Sequence, residues 1–301
     1  MNSQRDRRAV DGVVLLDKPA GMTSNRALQA VRSLFKARKA GHTGSLDPFA
    51  TGMLPCCLGE ASKTAGFMLE ADKRYRAEAC LGTATATGDV EGETVRTAEV
   101  PRLAEGAVRT VLRTFVGTQQ QVPPMYSALK HQGRPLYELA RAGQEVERQP
   151  REVTIHELTL RRWASPRLEF EVSCSKGTYI RTLAEDIAAA LGTCGHLRAL
   201  RRLAVGGFRE EDMVSLDALE HAAAAGCLER FLLPVDAGLS HWPILELEDD
   251  LAVRFRHGNP VPFDGSEAGR ARVYDRRGQL LGLGELDERG LLRPRRVFAW
   301  C

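Results

Sequence analysis

Asp47 is the residue of this chain best placed to do chemistry. It lies in GHTGSLDPFATGMLPCCLGEASK (Gly41–Lys63), among four glycines, two prolines and small hydroxyl residues, with His42 five positions upstream. A packed core has little use for so much turn chemistry, because glycine gives up backbone order that alanine would keep. Tight turns do bring backbone close to a ligand, and Pro48 sets the chain direction immediately after the acid. Two readings follow from composition. One is an active-site loop presenting a carboxylate, and the other is a surface loop in which Asp47 caps a turn. A glycoside hydrolase would need a second positioned carboxylate, and the Asp47 motif offers none.

The segment resembles the catalytic motif of the TruB-type tRNA pseudouridine synthases, which runs Gly-His-Thr-Gly-Thr-Leu-Asp-Pro-Leu-Ala-Thr-Gly. It differs by near-isosteric changes such as Ser45 for threonine and Phe49 for leucine. The resemblance continues through Leu15–Asn25 (LLDKPAGMTSN), Lys73–Gly82 (KRYRAEACLG), Val122–Gly143 (VPPMYSALKHQGRPLYELARAG) and Ser175–Ile187 (SKGTYIRTLAEDI), in the family's order. It implies an enzyme that isomerises uridine-55 in the T loop of tRNA. The bond from C1′ to N1 is broken and remade from C1′ to C5, with no redox change, metal or external cofactor. It also implies a flipped-out target base, whose extraction costs a few kcal/mol that stacking and hydrogen bonds must offset.

On this resemblance Asp47 is the nucleophile and Arg181 its ion-pair partner. A fixed cation is needed because burial alone would neutralise the acid, and arginine stays charged and offers a planar fork. Alone, Arg181 would read as a surface charge in a helical first turn, a place where a cation opposes the helix dipole. Tyr75 corresponds to the residue that stacks on the uracil, its hydroxyl a candidate for the C5 proton step; alone it reads as core packing. His42 corresponds to the histidine that helps extract the base. Tyr179 and Leu200 correspond to pocket-lining positions, although any leucine in HLRALRRL suits a core. Lys18 in KPAG and Lys63 in GEASK are phosphate contacts or pocket supports, with a structural role equally open. Arg201 and Arg202 are further candidates to meet the RNA backbone.

Positioning these groups requires several elements. Val13–Leu16 reads as a strand, and Thr23 or Ser24 then caps a helix carrying Leu28, Val31, Leu34 and Phe35. Tyr75, Ala77, Ala79 and Leu81 alternate with Arg76, Glu78 and Cys80, as in a half-buried strand. Leu168–Cys174 alternates likewise. Leu103–Phe115 has helical spacing up to Gly117, and a helix with Ile180, Leu183, Ile187 and Leu191 ends at Gly192. Without a regular βαβ rhythm this predicts an α+β fold, a mixed and largely antiparallel sheet with flanking helices, and the synthase fold is of that kind. Residues 119–149 resemble the family's insertion that closes on RNA like a thumb. Pro234, Gly238 and Pro243 mark a boundary, giving a catalytic domain at 1–240 and a small domain at 245–301. The latter shows short strands with turns at Gly258-Asn259-Pro260, Asp264-Gly265, Arg277-Gly278 and Glu288-Arg289-Gly290, and resembles a PUA domain, an RNA-binding β module.

Composition suits this picture. The chain has 301 residues, 43% hydrophobic and 27% charged, so it can bury a large core. Residues 1–40 hold nine Lys/Arg against three Asp, and residues 251–301 ten Arg against six acids. These excesses surpass the net charge of +3, so the middle is net acidic while both ends suit a polyanion. Seven cysteines (56, 57, 80, 174, 194, 227 and 301) have no metal-ligand spacing and read as small hydrophobes in a reducing compartment. The charged start MNSQRDRRAVDG lacks a signal peptide's apolar run, and no stretch is long enough to span a membrane. The expectation is a cytoplasmic monomer acting on the tRNA T arm without guide RNA or protein partner. The alternatives are a guide-RNA-dependent relative and a tRNA-folding chaperone.

Overall fold

The alternation beginning at Tyr75 builds the centre of the molecule. In the computed structural model, which describes residues 7–264 and 267–300, Lys73–Leu81 is a strand in which Tyr75, Ala77, Ala79 and Leu81 are buried. Residues 1–6, Gly265 of the expected Asp264-Gly265 turn, and Cys301 lie outside the described residues. The strand pairs antiparallel with Arg167–Cys174 on one side and Gly195–Val205 on the other. From these three the sheet grows in both directions. Arg151–Ala164 and then Gly117–Gln121 follow beyond Arg167–Cys174. Thr51–Leu58, Gly12–Lys18 and Val214–Ser215 follow beyond Gly195–Val205. Ala40–His42 pairs with Thr51–Leu58, making nine strands among the described residues. Two neighbouring pairs, Gly12–Lys18 with Val214–Ser215 and Thr51–Leu58 with Gly195–Val205, are parallel, and the rest are antiparallel. The sheet is mixed and largely antiparallel.

Helices cover it where the apolar stripes predict. Ile180–Ala190 packs Ile180, Leu183, Ala184 and Ile187 against Ala77, Ala79, Phe170 and Leu197 in one core. Glu105–Thr114 adds Val108 and Leu112 to the same core. Ser24–Leu34 packs Ala27, Leu28 and Val31 against Val14, Leu16 and Leu54. Its N-cap is Thr23, whose side chain accepts from the Arg26 amide.

Residues beyond Pro243 form a second, five-stranded sheet in the order Ile244–Leu247, Gly269–Asp275, Leu280–Leu286, Leu291–Val297, Val261–Pro262. Gly278 and Gly290 take left-handed conformations in the turns that the sequence marks there. The sequence reading, all short strands, missed the helix Asp249–Arg256. Its signals are present: Asp249 and Asp250 in the first turn, Arg254 and Arg256 in the last, and Ala252 and Phe255 buried on one face. Leu280, Leu283 and Phe298 of this unit share a core with Met53, Met68, Phe208 and Leu239 of the larger one. Among the described residues no helix is long and apolar enough to cross a membrane.

Candidate active site

Five successive backbone carbonyls around Asp47 each accept a hydrogen bond, four of them from groups elsewhere in the chain and one from the loop itself. The Arg202 guanidinium donates to the carbonyls of Gly44 at 2.9 Å and Ser45 at 3.5 Å, and to Met53 at 2.7 Å. Ser24 Oγ donates to the Leu46 carbonyl at 3.0 Å and accepts the Leu46 amide at 2.7 Å. The Ala50 amide donates to the Asp47 carbonyl at 3.1 Å. Lys18 Nζ and the Gly21 amide both donate to the Pro48 carbonyl, at 3.3 and 2.8 Å. A segment so rich in turn residues would otherwise sample many conformations, and these bonds leave it one.

Gly52 completes the arrangement. Its φ is +97°, and a Cβ there would lie 2.3 Å from the Arg202 carbonyl oxygen, so only glycine lets the two strands meet.

The Asp47 carboxylate faces Arg181. Arg181 Nε lies 3.0 Å from Oδ2 and Nη2 donates to Oδ1 at 3.3 Å, a two-point contact that lysine cannot make. The remaining guanidinium hydrogens go to the Thr87 carbonyl at 2.8 Å and the Tyr126 carbonyl at 2.7 Å. Asp89 stands 3.4 Å from Nη1, so one buried cation lies between two carboxylates. Asp89 is itself oriented by the Thr87 hydroxyl at 2.6 Å and the Glu91 amide at 3.0 Å. Arg181 sits in the first turn of Ile180–Ala190, where the helix dipole disfavours a cation, and this pair of acids compensates. Burial pushes the Asp47 carboxyl above the usual carboxylate range, with Arg181 pulling it back and Asp89 adding to the rise.

Asp47, Tyr75, His42, Tyr179, Leu200 and Arg181 all line one cavity of about 1160 Å³. Tyr75 is buried in its strand, and burial raises its phenol above the usual range. The Tyr179 backbone is fixed on both sides by the Gln121 amide group, at 2.7 and 3.1 Å, and burial raises its phenol too. His42 ends the strand Ala40–His42, and its Nδ1 accepts the Gly44 amide at 3.4 Å. Burial and then Arg202 lower its pKa, favouring the neutral ring. Leu200 comes from Gly195–Val205.

Lys18 and Lys63 are placed differently. Lys18 is fully buried behind the loop, donating to the carbonyls of Pro19, Met22 and Pro48, and burial lowers its pKa to about 8 against the pull of Asp47. Lys63 does not line the cavity; it donates to Glu60 at 2.5 Å and to the Val297 carbonyl at 2.9 Å, joining the two sheets' units.

The sequence expectation is corrected for Arg202, while Arg201 is half-buried and engaged in ion pairs. Arg202 is 1% exposed and committed to the loop carbonyls. Arg201 makes a two-point pair with Asp17 at 2.9 Å and another contact with Glu210 at 2.8 Å. Neither faces outward as a free cation. Sequence reasoning also missed Asp89 and Ser24 as site groups; an acid following Thr87-Gly88 in a turn was the available signal for the first. Among the described residues no three His, Cys, Asp or Glu are grouped to hold a metal ion.

Comparison with known proteins settles the lineage. Residues 32–180 match the N-terminal domain of the TruB family pseudouridylate synthases, 181–240 the C-terminal domain of tRNA pseudouridylate synthase B, and 243–298 the C-terminal region of pseudouridine synthase II TruB. A tRNA pseudouridine synthase B of Dechloromonas aromatica (strain RCB) is 54% identical, over 99% of this chain and 98% of its own. One of Thiobacillus denitrificans (strain ATCC 25259 / T1) is 53% identical over 97% of each.

This chain belongs to the TruB family.

The TruB architecture also resembles solved structures at low identity. A chain in the crystal structure of a Cbf5-Nop10-Gar1 complex superposes with a TM-score of 0.74 over 96% of this chain and 85% of that one, at 24% identity. The fold class is therefore the pseudouridine synthase α+β fold with a small PUA-like β domain at the C-terminus.

Proposed function

We propose that this chain converts uridine-55 of the tRNA T loop to pseudouridine. The carrying observation is the Asp47 carboxylate held in two-point contact with buried Arg181 on the wall of a cavity that also presents Tyr75 and Tyr179. The family membership and the full-length likeness to proteins named tRNA pseudouridine synthase B support the reading.

The reaction needs a group to trap the intermediate, a grip on the base while it turns, and a base for the C5 proton. Asp47 is the nucleophile, kept ionised by Arg181 against the cost of burial. Tyr75 stacks on the flipped uracil, and its phenol is the candidate for the proton step. His42 fills the place the base leaves, and Tyr179 and Leu200 wall the pocket. As C1′–N1 breaks and C1′–C5 forms, the C5 proton is removed and N1 gains one, so the reaction is balanced without any added reagent. Residues 1–240 form the catalytic body, 119–149 close over the RNA, and 245–301 hold RNA backbone. The chain works as a cytoplasmic monomer without guide RNA.

The test is incubation of the purified protein alone with unmodified tRNA and with a bare T-arm hairpin, followed by mapping of pseudouridine. Modification of both at the T-loop site is expected. Modification only when a guide RNA is supplied would replace this reading by the guide-dependent one. Activity is expected to survive exhaustive EDTA once RNA folding is controlled, and a loss restored by zinc alone would contradict the metal-free chemistry.

A further inference from the structure

Four cationic side chains line the cavity: Lys73, Arg141, Arg181 and Arg202. Three are committed to the protein. Lys73 donates to the carbonyls of Leu69 and Ala71, Arg181 pairs with Asp47 and Asp89, and Arg202 holds the loop carbonyls. Arg141 differs. Among the described residues no carboxylate or carbonyl oxygen bonds to it, and its guanidinium lies 5.6 Å from the centre of the Tyr137 ring, one helical turn earlier.

The short helix Leu136–Arg141 that carries both residues is fastened to the cavity wall. Its Leu136 and Leu139 are buried, and the Leu136 and Tyr137 amides donate to the carbonyls of Leu129 at 2.7 Å and Ser127 at 3.1 Å. Tyr137 and Arg141 therefore present to the cavity from a supported element. A different part of the lining carries Asp89, Glu91 and Glu93, with Glu91 and Glu93 exposed. A polyanion threading this cavity is repelled by that acidic stretch and attracted only where an unpaired cation stands.

We infer that Arg141, braced on Tyr137, is the cavity's phosphate contact and fixes which side of the pocket the RNA backbone follows. This rests on the reading of the cavity as an RNA site, and it names the residue that orients the strand there. A guanidinium that already stacks on an aromatic ring loses less freedom when it binds phosphate than a free side chain would. Such contacts position the nucleic acid and carry no sequence information.

The experiment measures binding of a T-arm hairpin RNA to the full chain at several salt concentrations, alongside KM and the saturated rate. Arg141→Gln is expected to weaken binding roughly tenfold, the size of one charge-assisted contact. It should also reduce the log–log salt slope by roughly 0.7, one single-stranded phosphate. Arg141→Lys should keep the slope and lose part of the affinity, and the loss in KM should exceed any loss in the saturated rate. Glu93→Gln should leave the slope as it is. An unchanged slope in Arg141→Gln, or a loss confined to the saturated rate, overturns the inference. Failure of the wild-type chain to form pseudouridine would instead sink the proposed function, while the slope comparison would still decide the role of Arg141.

Discussion

Asp47 carries a conflict that its surroundings only partly resolve. Burial disfavours its charge, Arg181 restores it, and Asp89 draws on the same guanidinium. Asp47→Asn keeps the size and removes the nucleophile, so turnover should fall by roughly three orders of magnitude or more while tRNA binding persists. Because the folded-state carboxyl titrates above its unfolded value, the ionised form works against the fold as pH rises through that range. Asp47→Asn should therefore unfold at no lower temperature than the parent, and a clear drop in Tm would contradict the direction assigned here. The rate should fall on the acid side at a higher pH than an ordinary aspartate would give. Arg181→Met removes the group that lowers the Asp47 pKa, so this limb should move to still higher pH as activity drops. Arg181→Lys should also be impaired, for want of the planar fork. Normal turnover by the Arg181→Met protein would remove the ion pair from the mechanism.

The loop of Gly44 to Pro48 functions as an element although it has no regular structure. Its shape comes from Arg202, Ser24 and Lys18, three residues whose positions along the chain gave no hint of a shared task. A buried arginine bonded to three carbonyls is replaceable only at the cost of leaving them without donors. Arg202→Met should destabilise the chain by about 3 kcal/mol and lower activity with it, measured by denaturant unfolding. An unchanged midpoint would mean that water replaces the guanidinium at no cost. The helix Ile180–Ala190 shows the same logic: its apolar stripe was legible from spacing, whereas the tolerance of Arg181 in its first turn depends on acids from two other loops.

For the molecule as a whole, the charge of the C-terminal region is smaller than its arginine count suggests. Arg256, Arg272, Arg276, Arg293 and Arg295 pair with carboxylates, which leaves Arg254, Arg270, Arg277, Arg289 and Arg296 without an acidic partner among the described residues. If residues 245–301 hold RNA backbone, neutralising Arg277 and Arg289 together should lower the salt slope by at most roughly 1.4, two single-stranded phosphates. An unchanged slope would show that these two do not touch RNA. Deleting residues 250–301 would strip Leu280, Leu283 and Phe298 from a core shared with Met53, Met68 and Phe208. Such a truncation should lower stability and solubility, so point changes are the cleaner probe.

Local pattern was enough for much of this protein. The alternation from Tyr75 to Leu81 is a property of two-sided strands, and the stripe of Ile180, Leu183 and Ile187 a property of helices, so both are written in neighbouring residues. The motif around Asp47 and the block around Arg181 marked the two ends of an ion pair 134 residues apart. Composition and spacing could not join those two ends; the family resemblance paired them, and the fold sets the contact at 3.0 Å. Arg201 and Arg202 are adjacent and chemically identical, yet on a strand they point to opposite faces, one toward Asp17 and Glu210 and the other into the loop that holds Asp47. Asp89 carries only the mark of a turn acid, and nothing beside Arg141 in the sequence tells whether it is paired. Whether an ionisable group is paired or free depends on what the fold brings within about 4 Å of it, and only the folded chain sets that distance.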